Sequence, residues 1–117
     1  MKEAEVTTIA PDVLVTIVRL AALGVEGVTR MESIPGGVNK LFKRDFSEGT
    51  QLLVENNTVY ADLYVILDHD VNVREVSREI QSQVARAISE MVGMDVGRIN
   101  IHVEDIDYDI PQSTKNV

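Results

Sequence analysis

Oxygen-bearing side chains follow Asp68 at the spacing of a calcium-binding loop. Asp68, Asp70, Asn72 and Glu79 fall at positions 1, 3, 5 and 12 of such a loop. Position 6 must be glycine to make the sharp turn, but it is Val73, and a helix is predicted to begin here with Asn72 as its cap. The stretch therefore predicts a helix start and not an ion site.

The two histidines, His69 and His102, offer little further chemistry, because neither has another histidine at ligand spacing. The chain has no cysteine, which excludes disulfides, thiolate nucleophiles and cysteine-based metal sites. A catalytic dyad needs a nucleophile or an acid beside its base, and no spacing suggests one. We expect no enzyme activity, catalytic residue, metal or cofactor. The carboxylates between Glu104 and Asp109 are expected to form a solvated acidic rim.

Composition favours one domain in a chain of 117 residues, of which 44% are apolar. The first residues lack the apolar core of a secretory signal, and no apolar run approaches the roughly 20 residues of a membrane span. We therefore expect a soluble, cytoplasmic protein. A net charge of −8 opposes binding to phosphates, since sequence-independent affinity for nucleic acid comes from Lys and Arg. No nucleic-acid partner is expected, although a local basic face would still permit one.

The elements that position these residues follow from apolar periodicity. Alternation over 58–68 predicts a strand with its odd-numbered residues in the core, and helical spacing over 73–91 predicts an amphipathic helix, capped by Asn72 with Glu75 and stopped by Gly93. A second strand over 98–103 repeats the odd-numbered pattern. Asn56 and Asn57 predict a tight hairpin turn before residue 58.

The first helix is predicted from Pro11 to about Leu23, with Gly24 just past its end. It is apolar nearly all round, which indicates that more than one side is covered. Either it is wedged among the sheet, the second helix and a loop, or its outer side, with Leu20 and Leu23, is a subunit interface.

A second candidate interface lies on the opposite face of the two strands. This face is expected to carry Tyr60, Tyr64, Ile66, Asn100 and His102. Rigid aromatic side chains are frequent anchors at interfaces. The alternative is an ordinary half-exposed sheet face without a partner.

Residues 34–49 form a long connection that combines cations with apolar side chains. One hypothesis is a loop that contacts a membrane surface or an acidic partner; the other is that its rings pack on the core while its cations stay in water. The residues concerned are Lys40, Leu41, Phe42, Lys43, Arg44 and Phe46.

Beyond the last strand, the apolar residues Ile106, Tyr108 and Ile110 move to even numbers. This change of phase predicts a bulge or a strand end near Glu104 or Asp105. Residues 1–106 are predicted to form the domain and 107–117 a polar, flexible tail. The predicted fold is α+β with two layers: an antiparallel sheet of three or four strands, and two principal helices on one face, in the order α-β-β-β-α-β.

Several segments together resemble the alkaline shock protein or envelope stress response family of Gram-positive bacteria. They are Asp62-Leu-Tyr-Val-Ile66, Val71-Asn-Val73 with Glu75-Val76, Ile80-Gln81, Val84, Met91-Val-Gly93, Val96, Asn100-Ile-His-Val103 and Gly24-Val-Glu-Gly-Val28. The likeness covers roughly residues 5 to 106. This chain departs from the family pattern at Asp70, where a glycine is usual, and at Glu48-Gly-Thr50.

The resemblance implies a non-enzymatic, self-associating cytoplasmic protein linked to cell-envelope homeostasis. Some members of the family are held near the membrane by a separate anchoring protein. The expected partners are therefore a second copy and another protein, which in the family's manner can be membrane-anchored. Two alternatives stay open: a nucleic-acid-binding module similar to KH domains, and a regulatory partner in lipid or fatty-acid metabolism.

Overall fold

The computed structural model describes residues 7–32, 46–47 and 49–108. Within this part the chain forms two helices and five strands, and the α+β class is confirmed. The order of elements also agrees, apart from one additional strand of two residues. The elements are α1 (Pro11–Leu23), β1 (Val28–Met31), β2 (Phe46–Ser47), β3 (Thr50–Glu55), β4 (Thr58–Asp68), α2 (Val73–Arg86), a π-helical segment (Ala87–Val92) that continues α2, and β5 (Asp95–Asp107).

Strand β4 is the centre of the sheet. On one edge it pairs antiparallel with β3 over its first half and with β1 near its end, and β2 pairs antiparallel with β3. These four strands are antiparallel, as predicted. On its other edge β4 pairs with β5, which runs parallel to it along the whole length. The parallel direction is a correction to the predicted sheet, and it follows from α2, which crosses the sheet between the two strands.

The core lies between the sheet and both helices, which pack on one face as predicted. The odd-numbered residues of β4 are buried, since alternate strand residues share a face. They meet the apolar stripes of the two helices. The buried cluster includes Val59, Ala61, Leu63, Val65 and Leu67 of β4, Leu14, Val15, Val18 and Ala22 of α1, and Val76, Ile80, Val84 and Ile88 of α2 and its π-helical extension.

Two bulges shape β5. Val65 pairs with Val103 but the next residue, Ile66, pairs with Asp105, so Glu104 is the extra residue. The predicted bulge is confirmed, and it brings Ile106 back against the core. A second irregularity, between Val96 and Ile99, was not predicted.

The helix ends agree with the predicted caps. The Asn72 side chain accepts a hydrogen bond from the backbone N–H of Glu75 at 3.0 Å, and Gly93 adopts φ +79° just past the last turn. The predicted apolar stripe of the helix, from Val73 to Met91, is wrong at both ends, since Val73 is 41% exposed and Met91 is 70% exposed. A π-helical turn holds one residue more than an α-helical turn, so Met91 is displaced from the core face on which α-helical spacing places it, whereas Ile88 stays buried and Val92 packs against the core.

A tight turn joins β3 to β4. Asn56 and Asn57 have φ of 52° and 63°, which confirms the predicted hairpin. Further along, the peptide groups of Tyr64 contact both neighbours. Its N–H donates to the carbonyl of Gly49 at 2.8 Å, and its carbonyl accepts from the N–H of Glu32 at 2.8 Å. The end of β1 and the start of β3 therefore meet at Tyr64.

Among the described residues, no helix has the length and apolar character needed to cross a bilayer.

Candidate functional site: the outer face of the sheet

The face of the sheet opposite the helices carries most of the predicted interface residues. We call it the outer face and define it by Tyr60, Asp62, Tyr64 and Ile66 of β4 with Asn100 and His102 of β5. The parallel register places Asp62 beside Asn100 and Tyr64 beside His102. Both helices of the described chain lie on the other side, so neither covers this face.

Asp62 is the centre of a polar cluster on the outer face. Its Oδ1 atom accepts a hydrogen bond from Asn100 Nδ2 at 3.1 Å and lies 2.9 Å from His102 Nε2. The His102 ring also stacks on Tyr64, with ring centroids 4.4 Å apart and planes 12° from parallel. These strand side chains therefore hold one another in fixed positions on a half-exposed surface.

Tyr64 is the titratable group whose pKa these surroundings change. Partial burial raises the pKa of its phenol above the usual value, and the nearby carboxylates of Asp62 and Glu104 raise it further. The neutral phenol is therefore the favoured form of Tyr64 over a wider pH range than in a free tyrosine.

The Tyr60 ring packs against Gly97 at the second bulge. A Cβ atom on Gly97 would sit 2.5 Å from two atoms of the Tyr60 ring, so only glycine permits this contact without movement. Arg98 lies over the same ring, with Cζ 5.8 Å from the centroid, as in a cation–π contact. Beside this stack is a groove of about 420 Å³, which also includes Leu53, Asp62 and Asn100 in its wall.

Ile66 differs from the other candidates on the outer face, because it is only 2% exposed. It is paired with Arg30 of β1 on one side and Asp105 of β5 on the other. Its side chain therefore offers almost no surface to a partner in this conformation.

The candidates on α1 are separate from the outer face. Leu20 is 55% exposed and Leu23 is partly buried. Leu20 lines a groove between α1 and α2 that also carries the carboxylates of Glu26, Glu75 and Glu79. The structure thus places the two sets of predicted interface residues on different sides of the molecule.

The predicted membrane or partner loop falls almost entirely outside the described part of the chain. Lys40, Leu41, Phe42, Lys43 and Arg44 lie outside the described residues, and only the backbone of Phe46 is described, as part of β2.

The side chains of the acidic turn after β4 contact β1 and the residue that follows β5. The His69 ring stacks on Tyr108 with centroids 5.7 Å apart, beside Asp68, Asp70 and Asp107. Asp68 accepts a hydrogen bond from the Thr29 hydroxyl of β1. In the described ranges no group of three or more His, Asp or Glu side chains is arranged to hold a metal.

Three residues of the surface were not predicted from the sequence. Gly97 and Arg98 support Tyr60, and a glycine inside a strand pattern is a known signal for a bulge or a close approach. Leu53 lies on β3 opposite Tyr60 and is 53% exposed. Leu52, Leu53 and Val54 are consecutive apolar residues of β3, so they must occupy both faces of the strand. At least one of them therefore had to lie on the outer face, which is the sequence signal for Leu53.

Comparison with known families identifies the chain. The profile of the alkaline shock protein 23 family, described as having a "cell envelope-related function", matches residues 1–108. The chain belongs to the alkaline shock protein 23 family. This finding confirms the resemblance drawn from the sequence motifs.

Several curated proteins are similar to this alkaline shock family chain. Spy1535 of Streptococcus pyogenes serotype M6 is 35% identical over 99 residues, which cover 84% of this chain and 76% of that protein. YqhY of Bacillus subtilis is 26% identical over 103 residues, covering 86% and 76%. YloU of Bacillus subtilis is 25% identical over 84 residues, covering 71% and 70%.

Solved structures of MamM CTD have a similar fold. The H264E variant superposes with a TM-score of 0.51 at 15% identity and covers 80% of this chain and 93% of its own. The copper form gives a TM-score of 0.50 at 14% identity, covering 84% and 88%. At such identities the likeness concerns the fold alone.

Proposed function

We propose that this alkaline shock family chain is a non-enzymatic interaction protein of the cell envelope, which associates with itself and with a second protein. In this proposal it acts in the cytoplasm, and the second protein brings it near the membrane. The observation that carries the proposal is the outer face, where fixed aromatic and polar side chains lie on a sheet surface that neither described helix covers.

The geometry of this face suits recognition because its side chains are already ordered. Tyr64 is held by His102, and His102 and Asn100 are held by Asp62. A partner that binds such a surface loses less side-chain entropy than one that must first order it. Tyrosine also combines a large apolar area with a polar group, which is why it is frequent at energetically important contacts.

The polar groups of the outer face also favour a protein partner, because they already form hydrogen bonds with one another. Asn100 and His102 share one carboxylate oxygen, so covering the cluster does not leave that carboxylate without hydrogen bonds. Leu53 and Tyr60 then provide apolar contact area beside it. The self-association of the chain can use this face or the exposed Leu20 side of α1.

Sedimentation velocity tests the proposal. We expect the wild-type chain to sediment as a species larger than one chain, with the larger fraction growing as concentration rises. The double variant Tyr60→Glu/Tyr64→Glu tests the outer face, and Leu20→Glu/Leu23→Glu tests α1. Met91→Glu is the matched control, since Met91 is more exposed than Leu20 and lies on neither surface.

A loss of larger species in one double variant, with Met91→Glu unchanged, would support that surface. A wild-type chain that sediments as a single chain at every concentration would overturn the self-association part of the proposal. For the second protein, capture from native lysate should yield one partner with wild-type bait and lose it with Tyr60→Glu/Tyr64→Glu. An identical set of captured proteins with both baits would overturn the role of the outer face.

A further inference from the structure

Strand β5 is an edge strand of unusual length. It runs over 13 residues, and within the described chain it pairs with β4 alone. Its bulges, at Gly97–Arg98 and at Glu104, leave the regular stretch Ile99–Val103 between them. A regular edge presents backbone N–H and C=O groups that can pair with another strand.

The edge-facing groups can be assigned from one hydrogen bond. Gln81 of α2 donates from Nε2 to the carbonyl oxygen of Ile99 at 2.9 Å, at the side of β5 away from the ladder with β4. In a strand the N–H and C=O of one residue point to the same edge, and alternate residues share that edge. Ile99, Ile101 and Val103 therefore direct their backbone groups outward.

The side chains of this stretch are self-complementary about Ile101. Three residues before it is Arg98 and three after it is Glu104; two before is Ile99 and two after is Val103; Asn100 and His102 flank it. The charged pair lies on the outer side of the sheet. Arg98 lies over the Tyr60 ring, and the Glu104 carboxylate is close enough to Tyr64 to raise the pKa of its phenol. A strand of this pattern matches a reversed copy of itself in charge, polarity and apolar character.

We propose that β5 pairs antiparallel with β5 of a second copy around a two-fold axis at Ile101, joining two sheets into one. This inference deepens the proposed function, since it rests on the self-association proposed there and assigns it to the β5 edge, a third surface beside the outer face and the Leu20 side of α1. Arg98 of each copy lies opposite Glu104 of the partner subunit, and Ile99 lies opposite Val103 of the partner subunit. Opposite charges placed across an antiparallel pair stabilise it. A carbonyl oxygen accepts two hydrogen bonds, so Gln81 can keep its contact with Ile99.

The pairing has a consequence for the outer face. Residues opposite each other in an antiparallel pair point to the same side of the sheet, so the outer faces of both copies form one surface. Helices of both copies lie on the other side. The second protein of the proposed function would therefore meet two sets of Tyr60 and Tyr64 at once.

Charge exchange tests this pairing. Arg98→Glu places two glutamates opposite each other at each end, and Glu104→Arg places two arginines there, so each variant alone should associate roughly tenfold more weakly than wild type. In the heterodimer formed by an equimolar mixture of the two variants, one chain has glutamate at both positions and the other has arginine at both, so opposite charges are restored at both ends of the pair. The double variant Arg98→Glu/Glu104→Arg restores them at both ends as well. The mixture should therefore associate more strongly than either variant alone, and the double variant should regain wild-type association. Arg86→Glu is the control, because Arg86 is an exposed cation outside β5.

The outcomes separate this inference from the proposed function. If wild type associates and every charge variant associates equally well, the β5 pairing is overturned while self-association stands. If wild type never associates, both fail. Urea unfolding of each variant shows whether a loss of association comes from a loss of folding.

A crosslink gives a second, independent result. The chain has no cysteine, so Ile101→Cys introduces a single thiol at the proposed axis. Paired residues in an antiparallel sheet have Cα atoms about 4.5–5.5 Å apart, within disulfide range. Mild oxidation should give covalent dimers with Ile101→Cys and few with Met91→Cys. Equal yields from both positions would refute the axis.

Discussion

Replacement of Gly49 by alanine should destabilise the protein strongly, because the new Cβ atom would clash with backbone atoms. The same replacement at Gly93, where there is no clash, separates this steric cost from the cost of the positive φ. Gly49 has φ +68° and lies where β1 and β3 meet on β4. A Cβ atom there would sit 2.6 Å from the carbonyl oxygen of Glu32 and 2.7 Å from that of Tyr64. Both are backbone atoms close to the β4 pairing: Tyr64 lies in β4, and the N–H of Glu32, the residue after β1, donates to the Tyr64 carbonyl.

Gly93→Ala is the matched control. Gly93 has φ +79°, but a Cβ atom there would have no neighbour within 4 Å. Both substitutions carry the cost of a left-handed conformation, about 1–2 kcal/mol, and the same gain from a less flexible unfolded chain. Only Gly49→Ala adds the steric cost of overpacking, about 1–3 kcal/mol. The expected loss of unfolding free energy is therefore about 1 kcal/mol for Gly93→Ala and about 2–4 kcal/mol for Gly49→Ala.

Urea unfolding followed by circular dichroism measures both losses, with equal m-values as the condition for comparing them. The melting temperature should fall by about 4 °C or more for each kcal/mol lost. Equal losses for Gly49→Ala and Gly93→Ala would refute the conclusion that the crowded backbone at the junction requires glycine.

Three further predictions concern single contacts. Asn72→Ala should lower the unfolding free energy by about 1 kcal/mol in urea titrations, since it removes the acceptor of the Glu75 N–H, whereas Asn72→Asp should restore most of it. The pKa of Tyr64 is raised in the folded state, so its contribution to stability is complete below the pKa of the unfolded tyrosine and is lost as pH rises through the folded pKa. Unfolding free energies measured from pH 8 upward should therefore fall less steeply for Tyr64→Phe than for the wild type. Parallel curves for the two proteins would contradict this. Gly97→Ala should cost about 1–3 kcal/mol by displacing the Tyr60 ring, and clearly less in a Tyr60→Ala background, which a double-mutant cycle measures.

The sequence was sufficient to predict the layers of this fold. Alternation along β4 separates a core face from an outer face because side chains of a strand alternate strictly, and the structure buries every odd residue from Val59 to Leu67. The same strict alternation made the bulge at Glu104 visible as a change of phase. Local caps at Asn72 and Gly93 were equally predictable, since each depends on only a few neighbouring residues.

The direction of β5 needed information from beyond one strand. The hairpin signal at Asn56 and Asn57 determines only the β3–β4 pair, and its antiparallel direction does not extend to the whole sheet. The sequence does not predict the exposure of Met91, for a different reason. A π-helical turn has no distinct apolar period in so short a segment, so α-helical spacing places Met91 on the wrong side.

For the candidate site, the sequence predicted which residues face outward but not what they touch. Asp62 meets Asn100 and His102 only because of the register between β4 and β5, and residues separated by about 40 positions carry no sequence signal of that register. The burial of Ile66 likewise depends on its neighbours across the sheet.

The position of β4 between its two sets of partners also has a kinetic consequence. Strand β3 reaches β4 through the two-residue turn at Asn56–Asn57, whereas β5 reaches it only after the crossover formed by residues 69–94. Closing the longer connection costs about 2 kcal/mol more in chain entropy. We expect the hairpin to form before the rate-limiting step, so that mutations in it slow folding, whereas mutations in β5 mainly speed unfolding. Stopped-flow chevron plots distinguish the two, and the long edge of β5 would then be the last part of the sheet to acquire its shape.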